Sequence, residues 1–113
     1  MVMSVSNAVT LLTDAGIRAR RGYPNGLMPQ ITGAVAAVNV KSVEEKSVTL
    51  TATVCGPMSK GAKTCESMAQ KVAMAWQAGG ASCSYGECKF DSQLALFILK
   101  VQGTWTETEP TTE

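Results

Sequence analysis

The four cysteines are the residues of this sequence with the most distinctive chemistry. Cys55, Cys65, Cys83 and Cys88 are separated by nine, 17 and four residues. Thiolates can hold zinc, form disulfides or carry out redox reactions. Zinc sites commonly use Cys-x-x-Cys pairs, often with histidine, and this sequence contains neither. The spacing therefore argues against zinc, and we predict no metal and no cofactor.

The surroundings expected for each thiol favour packing over reactivity. Cys65 falls on the apolar stripe of a predicted helix. Cys83 and Cys88 would face each other only if residues 84–87 closed a tight hairpin, and a bulged strand is the competing interpretation. Lys89 follows Cys88 but points to the opposite side of an extended chain, so it does not activate that thiol. We predict core or half-buried thiols. A small cytoplasmic binding or redox module that uses its cysteines is the alternative function.

Other routes to catalysis have little support in the sequence. There is no histidine for a triad or dyad. The stretch GPMSKGAKT, residues 56–64, departs from a phosphate-binding loop because Ala62 separates Gly61 from Lys63, and we interpret it as the start of a helix. The carboxylates are scattered without a motif, at Glu44, Glu45, Glu66, Glu87 and Asp91. The prediction is a protein that is not an enzyme.

A basic cluster, RARRGYP at residues 18–24, allows three interpretations. Arg18, Arg20 and Arg21 could contact nucleic acid phosphates. They could instead be a solvated strand edge that charge protects from unwanted pairing. They could also form a charged contact surface for an acidic partner, such as Glu107 and Glu109 of a neighbouring copy.

Composition limits the class of protein. The 113 residues are 45% hydrophobic and 17% charged, with a net charge of +1. That length suits one domain, and the low charge favours a surface partly buried against other protein. The near-neutral balance gives no general attraction to nucleic acid or to anionic membranes. Neither a signal peptide nor an apolar run of membrane-spanning length is recognisable, so we expect a cytoplasmic protein with no membrane partner.

Hydrophobic periodicity predicts two helices and five strands. The first helix is capped by Ser4 or Ser6 and stops at Gly16, and the second is capped by Ser59 and stops at Gly79-Gly80. Strands are predicted at residues 17–24, 34–43, 47–55, 81–90 and 94–105, with the second and third forming a hairpin and the fourth broken near Gly86. The expected fold class is α+β, with the order α-β-β-β-α-β-β. A single domain at 1–105 would contain a mainly antiparallel sheet of four to five strands with both helices on one face, followed by a flexible, acidic, Thr-rich tail at 106–113.

The last predicted strand is apolar on both sides. Phe97, Leu99, Val101 and Trp105 alternate with Leu94, Leu96 and Ile98. Two helices in so small a domain can cover only one face of the sheet. We therefore expect part of the second face to be buried against another protein.

Three stretches resemble small morphogenesis proteins of tailed phages and prophages. They are LLTDAGIRARRGYPNGLMPQITGAVAAVNVKSV, VTLTATVCGP and AWQAGGASCSYGECKFDSQLALFILKVQGTW, and the likeness covers most of residues 10–105. Within that group, the order of elements is similar to that of tail terminator and tail completion proteins. The resemblance implies a non-enzymatic α+β subunit that forms a ring, typically a hexamer, at the end of a tail tube. Tube and baseplate proteins, and phage-like contractile bacteriocins, remain alternatives.

The resemblance also implies where contacts would lie. The partners would be copies of this chain and other tail or head–tail connector proteins, first in the host cytoplasm and then in the virion tail. The arginines Arg18, Arg20 and Arg21 would face the lumen or a neighbouring ring, and nucleic acid would be met only in that lumen. Ring contacts would use Leu94, Leu96 and Ile98 as exposed apolar positions, Val35 and Ala37 on the matching face, and Leu27 and Met28 in the loop at residues 22–30.

Overall fold

The computed structural model describes residues 3–22 and 34–107, which form two helices and one six-stranded sheet. The class is α+β, as predicted. In chain order the elements are α1 (Val5–Asp14), β1 (Ala19–Arg21), β2 (Val35–Val43), β3 (Ser47–Pro57), a 3₁₀ turn (Met58–Lys60), α2 (Gly61–Ala78), β4 (Ser82–Tyr85), β5 (Lys89–Asp91) and β6 (Leu96–Thr106).

The first helix begins and ends where local chemistry favours it. The Ser4 side chain accepts a hydrogen bond from the backbone N–H of Asn7 at 3.0 Å, so Ser4 is the cap and Ser6 is not. Ala8 and Leu12 are its buried residues and face the sheet. Gly16 follows with φ +80°, a conformation that glycine adopts without the steric cost of a side chain.

The sheet is antiparallel except at one edge. Its strand order is β1-β2-β3-β6-β4, and β5 pairs with the same side of β6 as β4 does. The predicted hairpin of β2 and β3 is confirmed, with Val43 opposite Val48. β1 runs parallel to β2, a pairing that the sequence did not indicate. Residues 22–34 separate these strands, and parallel neighbours need a long crossover of this kind.

The fourth predicted strand is two strands. β4 pairs with the part of β6 around Gly103, and β5 pairs with its first residues around Phe97. The chain leaves the sheet between them, near Gly86, as the predicted break indicated. The sheet therefore has one more strand than the four to five expected.

The second helix begins later than predicted. Pairing of β3 with β6 continues through Pro57, so residues 56 and 57 belong to the sheet, and Ser59 lies in the 3₁₀ turn rather than at the helix cap. Lys60 precedes the helix and makes no side-chain capping bond. The helix ends at Ala78, as predicted, and Gly80 then takes φ +98°.

Both helices pack on one face of the sheet, as predicted. Trp76 of α2 is fully buried between them and donates its indole N–H to the backbone oxygen of Ala8 at 3.1 Å. Trp105 of β6 meets Trp76 edge to face at 5.2 Å and donates to the backbone oxygen of Gly79. Neither helix in the described residues has the length and apolar character needed to cross a membrane.

The last strand extends slightly past residue 105, where the domain was predicted to end. β6 continues one residue beyond position 105, because Thr106 pairs with Ser47. The Glu107 N–H then donates to the Lys46 oxygen at 2.6 Å. Residues 108–113 of the predicted tail lie outside the described residues.

Candidate functional site

The face of the sheet turned away from α1 and α2, here called the outer face, is the candidate site. Alternation along the strands puts its side chains in rungs that cross β2, β3 and β6. Paired positions give the rungs Val35–Cys55–Ile98, Ala37–Thr53–Lys100 and Asn39–Thr51–Gln102, followed by Thr49 opposite Thr104. One end of the outer face is thus apolar and the rest is polar.

The apolar end contains a small cluster of its own, separate from the helix-side core. Ala37, Cys55 and Leu96 are its buried members, and Leu94 and Ile98 pack against them half-buried. We call these five residues together with Val35 the apolar patch. The sequence prediction of two apolar sides on the last strand is confirmed by this separation of the two clusters.

The exposure predicted for Leu96 is wrong, because this side chain is only 1% exposed. Val35 and Ala37, which were predicted on the matching face, are buried as well, at 6% and 0% exposed. Ala37 is a small side chain lying among larger neighbours, and Leu96 is covered within the cluster that includes Leu94 and Ile98. Only Leu94 and Ile98 of the predicted contact residues retain accessible surface among those described. Leu27 and Met28 lie outside the described residues.

A turn positions Leu94 within the patch. One carboxylate oxygen of Asp91 accepts hydrogen bonds from the backbone N–H groups of Gln93 and Leu94, at 2.9 and 3.0 Å. Ala95 then takes a positive φ of 55°, which is uncommon for a residue with a side chain. Leu94 therefore belongs to this turn and not to β6. The Asp91-Ser92 pair, between the strands predicted at 81–90 and 94–105, is typical of a turn. It does not indicate which side chains that turn would position.

An open cleft of about 610 Å³ lies next to the patch on the outer face. Its chemistry is mixed, since Lys41, Lys100 and the Asp91 carboxylate line it together with Ile98. The remaining lining residues are Asn39, Val40, Thr51, Thr53, Leu94 and Gln102. These groups can form hydrogen bonds, charge pairs and apolar contacts. The described residues contain no group of three or more His, Cys, Asp or Glu side chains arranged to hold a metal ion.

The predicted arginines are placed at the edge of the sheet. Arg20 and Arg21 lie in β1 and Arg18 directly precedes it, and all three are exposed. None of them forms an ion pair with another described residue. Arg20 is aligned with Ala37 of the apolar patch on the neighbouring strand, and Arg18 lies two residues before Arg20.

The thiols are core or half-buried, as predicted. Cys55 and Cys65 are fully buried, and Cys83 and Cys88 are partly exposed. Cys83 and Cys88 do not face each other, because β4 and β5 each pair with β6. Cys88 instead lies beside Cys65, and burial together with that neighbouring thiol raises the pKa of Cys65 well above its usual range. Burial also raises the pKa of Cys83. Protonated thiols are poor nucleophiles at neutral pH.

Alkaline pH is expected to destabilise the fold through Cys55. Burial, and then the charge of Asp91, raise the pKa of Cys55 from 9.0 to about 11. Below pH 9 the thiol is neutral in both the folded and the unfolded chain, so its contribution to the free energy of unfolding is fully present. Between pH 9 and 11 the unfolded chain ionises first, and the free energy of unfolding falls by on the order of 2 kcal/mol. Urea denaturation across this pH range would measure the free energy of unfolding, which should decline less for Cys55→Ala than for the wild type. Equal declines would contradict a raised pKa at Cys55.

Large apolar side chains at the opposite sheet edge were not singled out from the sequence. Tyr85 at the end of β4 is 45% exposed, and Phe90 in β5 is 47% exposed. Phe90 packs edge to face on Phe97 at 5.3 Å. The broken strand carried a signal for them, since a short strand at the edge of a sheet leaves its side chains accessible.

Comparisons with protein-family models and with curated proteins gave no match to this chain.

Proposed function

We propose that this chain is a non-enzymatic structural subunit of a phage or prophage tail, or of a phage-like particle, and that it assembles with copies of itself into a ring at the tail end. The observation that carries the proposal is the outer face, where an apolar patch and a cleft lie on a sheet whose two described α-helices pack on the other side. The type of particle, and the terminator or completion role, come from the resemblance of the sequence to those proteins.

The outer face has the character of a protein–protein contact. Half-buried Ile98 and Leu94 provide apolar surface at one end of this face, and Lys100, Gln102 and Thr104 follow along β6 with groups that form hydrogen bonds. Protein–protein contacts combine apolar surface with such polar groups. A stable interface buries about 800 Å² on each partner. The patch alone is smaller than this, so the contact would extend over the polar rungs as well.

The long hydrogen-bonded pairing of two central strands also suits a structural role. β3 and β6 pair without interruption from Ser47–Thr106 to Pro57–Leu96. Such a sheet keeps its outer side chains in fixed relative positions, which favours a rigid repeating contact. The absence of histidine from the sequence and the raised pKa values of three thiols favour this function over the redox alternative.

The test is the mass of the protein in solution and its dependence on Ile98. Light scattering at micromolar concentration is expected to give a mass several times 11.9 kDa. Ile98→Lys would place a charge in the contact, and Ile98→Thr would remove apolar surface while keeping a strand-forming residue. Both should weaken association, the lysine variant by at least about tenfold.

The matched control is Met74→Lys, because Met74 is 68% exposed on α2, on the other side of the molecule. It should leave the mass unchanged. Thermal unfolding of each variant would confirm that the monomer still folds. A wild-type chain that stays monomeric and also ignores tail tube protein would refute the function. An oligomer unaffected by either Ile98 variant would refute the outer face as the contact.

A further inference from the structure

β1 lies at one edge of the described sheet, and three positive charges lie in it and directly before it. β1 pairs with β2 on one side, and no described strand pairs with its other side. Arg20 is aligned with Ala37, so Arg20 and Arg18 point toward the outer face, and Arg21 points to the helix side. All three are exposed and form no ion pair with another described residue. Unpaired N–H and C=O groups on such an edge can bind an added strand.

The sequence that follows β6 has the complementary pattern. Residues 106–113 read TETEPTTE, in which Glu107 and Glu109 are two residues apart. In an extended chain they project to one side, with the same spacing as Arg18 and Arg20. Threonine at the alternate positions favours extended structure. Pro110 cannot donate a backbone hydrogen bond, so an added strand would end at Glu109.

A chain cannot place this segment on its own β1. Thr106 is paired with Ser47, near the level of Val43, whereas Arg20 lies at the level of Ala37. These levels are about 20 Å apart along the strands, and β6 is about 14 Å from β1 across the sheet. The direct distance between Thr106 and Arg20 is therefore about 25 Å. The Cα atom of Glu109 can lie at most about 11 Å from that of Thr106. The occupant must therefore come from a second copy.

We infer that residues 107–109 of one copy add as a short strand to the open edge of β1 in a second copy, with Glu107 and Glu109 paired to Arg18 and Arg20. This inference rests on the proposed function, since it specifies one contact of the self-assembly. The contact is head to tail, because it joins two different surfaces, and repeated contacts of this kind form a ring when the rotation between copies closes. Pairing of β1 with another β1 would instead bring arginines together, which is unfavourable.

Charge variants of the full-length chain test the contact. Glu107→Gln with Glu109→Gln, and separately Arg18→Gln with Arg20→Gln, should each weaken association by about tenfold, as expected for two exposed ion pairs. Glu44→Gln with Glu45→Gln removes the same charge from the exposed β2–β3 turn and should have no effect. The difference between variants and control should be larger at about 50 mM salt than at about 500 mM, because salt screens exposed charges.

A charge exchange makes the test specific. Arg18→Glu with Arg20→Glu should abolish the contact, and adding Glu107→Arg with Glu109→Arg to the same chain should restore it. Sedimentation equilibrium would measure each mass. Two results would overturn the inference while leaving self-assembly intact. One is association that does not respond to these charges. The other is association that the arginine substitutions or the glutamate substitutions weaken and that their combination does not restore.

A peptide-binding experiment tests this contact independently of the proposed function. A labelled peptide of residues 104–113 should bind the full-length Glu107→Gln, Glu109→Gln chain, whose arginine edge is intact. The same peptide with both glutamates replaced by glutamine should bind about tenfold more weakly. If the wild-type chain proved monomeric, the proposed function would fail, and the peptide would still decide this inference. Equal binding of the two peptides, or no binding by either, would overturn it.

Discussion

Replacing Trp76 with alanine is expected to lower the free energy of unfolding by about 3–5 kcal/mol. Trp76 is fully buried where α2 meets α1 and the sheet. The substitution removes an indole ring that packs on Trp105 and leaves the Ala8 oxygen without its donor. A domain of this size has a total stability of about 5–15 kcal/mol, so the loss is a large part of the whole.

Urea denaturation followed by circular dichroism would measure the loss. Met74→Ala is the matched control, because Met74 lies two residues earlier on the same helix and is 68% exposed. It should change stability by no more than about 0.5 kcal/mol. Trp76→Phe keeps an aromatic ring without the N–H group, and should fall between wild type and Trp76→Ala. A cost below about 1 kcal/mol for Trp76→Ala would contradict the position of this residue in the core.

Replacing Gly103 with alanine is expected to cost about 1–3 kcal/mol although it adds only a methyl group. Gly103 lies in β6 between Leu50 and Cys83, beneath both tryptophan rings. An added Cβ would lie 2.6 Å from Cε3 of Trp76 and 3.2 Å from Cζ3 of Trp105. Each indole is held by a hydrogen bond to a backbone oxygen, so neither ring can turn away freely.

A second glycine provides the control for this effect. An added Cβ at Gly86 would meet nothing within 4 Å, so Gly86→Ala should leave the unfolding midpoint nearly unchanged. The cost of Gly103→Ala should also shrink in a Trp76→Leu background, where the clashing ring is absent. Equal costs in the two backgrounds would show that the ring contact is not the cause.

The outer face could be predicted from the sequence only in outline. Alternation in residues 94–105 showed that the last strand is apolar on both sides, and the two clusters on opposite faces follow that pattern. Alternation reports which side a residue faces but not how much of it neighbouring strands cover. Leu96 was therefore expected to be exposed and is buried. The packing around it decides that, and Ala37 and Cys55 of the same cluster come from distant parts of the chain.

The sequence by itself determined the local elements. The stripe that includes Cys65, Val72 and Trp76 defines α2, the Ser4 cap and Gly16 bound α1, and strict alternation defines β3. Each of these depends on residues within a few positions of one another, where backbone geometry and side-chain spacing act directly.

Only the tertiary structure decided which segments meet. It placed β1 parallel to β2 at one end of the described strand order, brought Cys88 to Cys65 rather than to Cys83, and set Gly103 beneath two tryptophans that are 29 residues apart in the chain. Such pairings depend on the competition of all segments for the same core and the same strand edges. A pattern read along one segment holds no information about that competition, because the competing partners lie elsewhere in the chain.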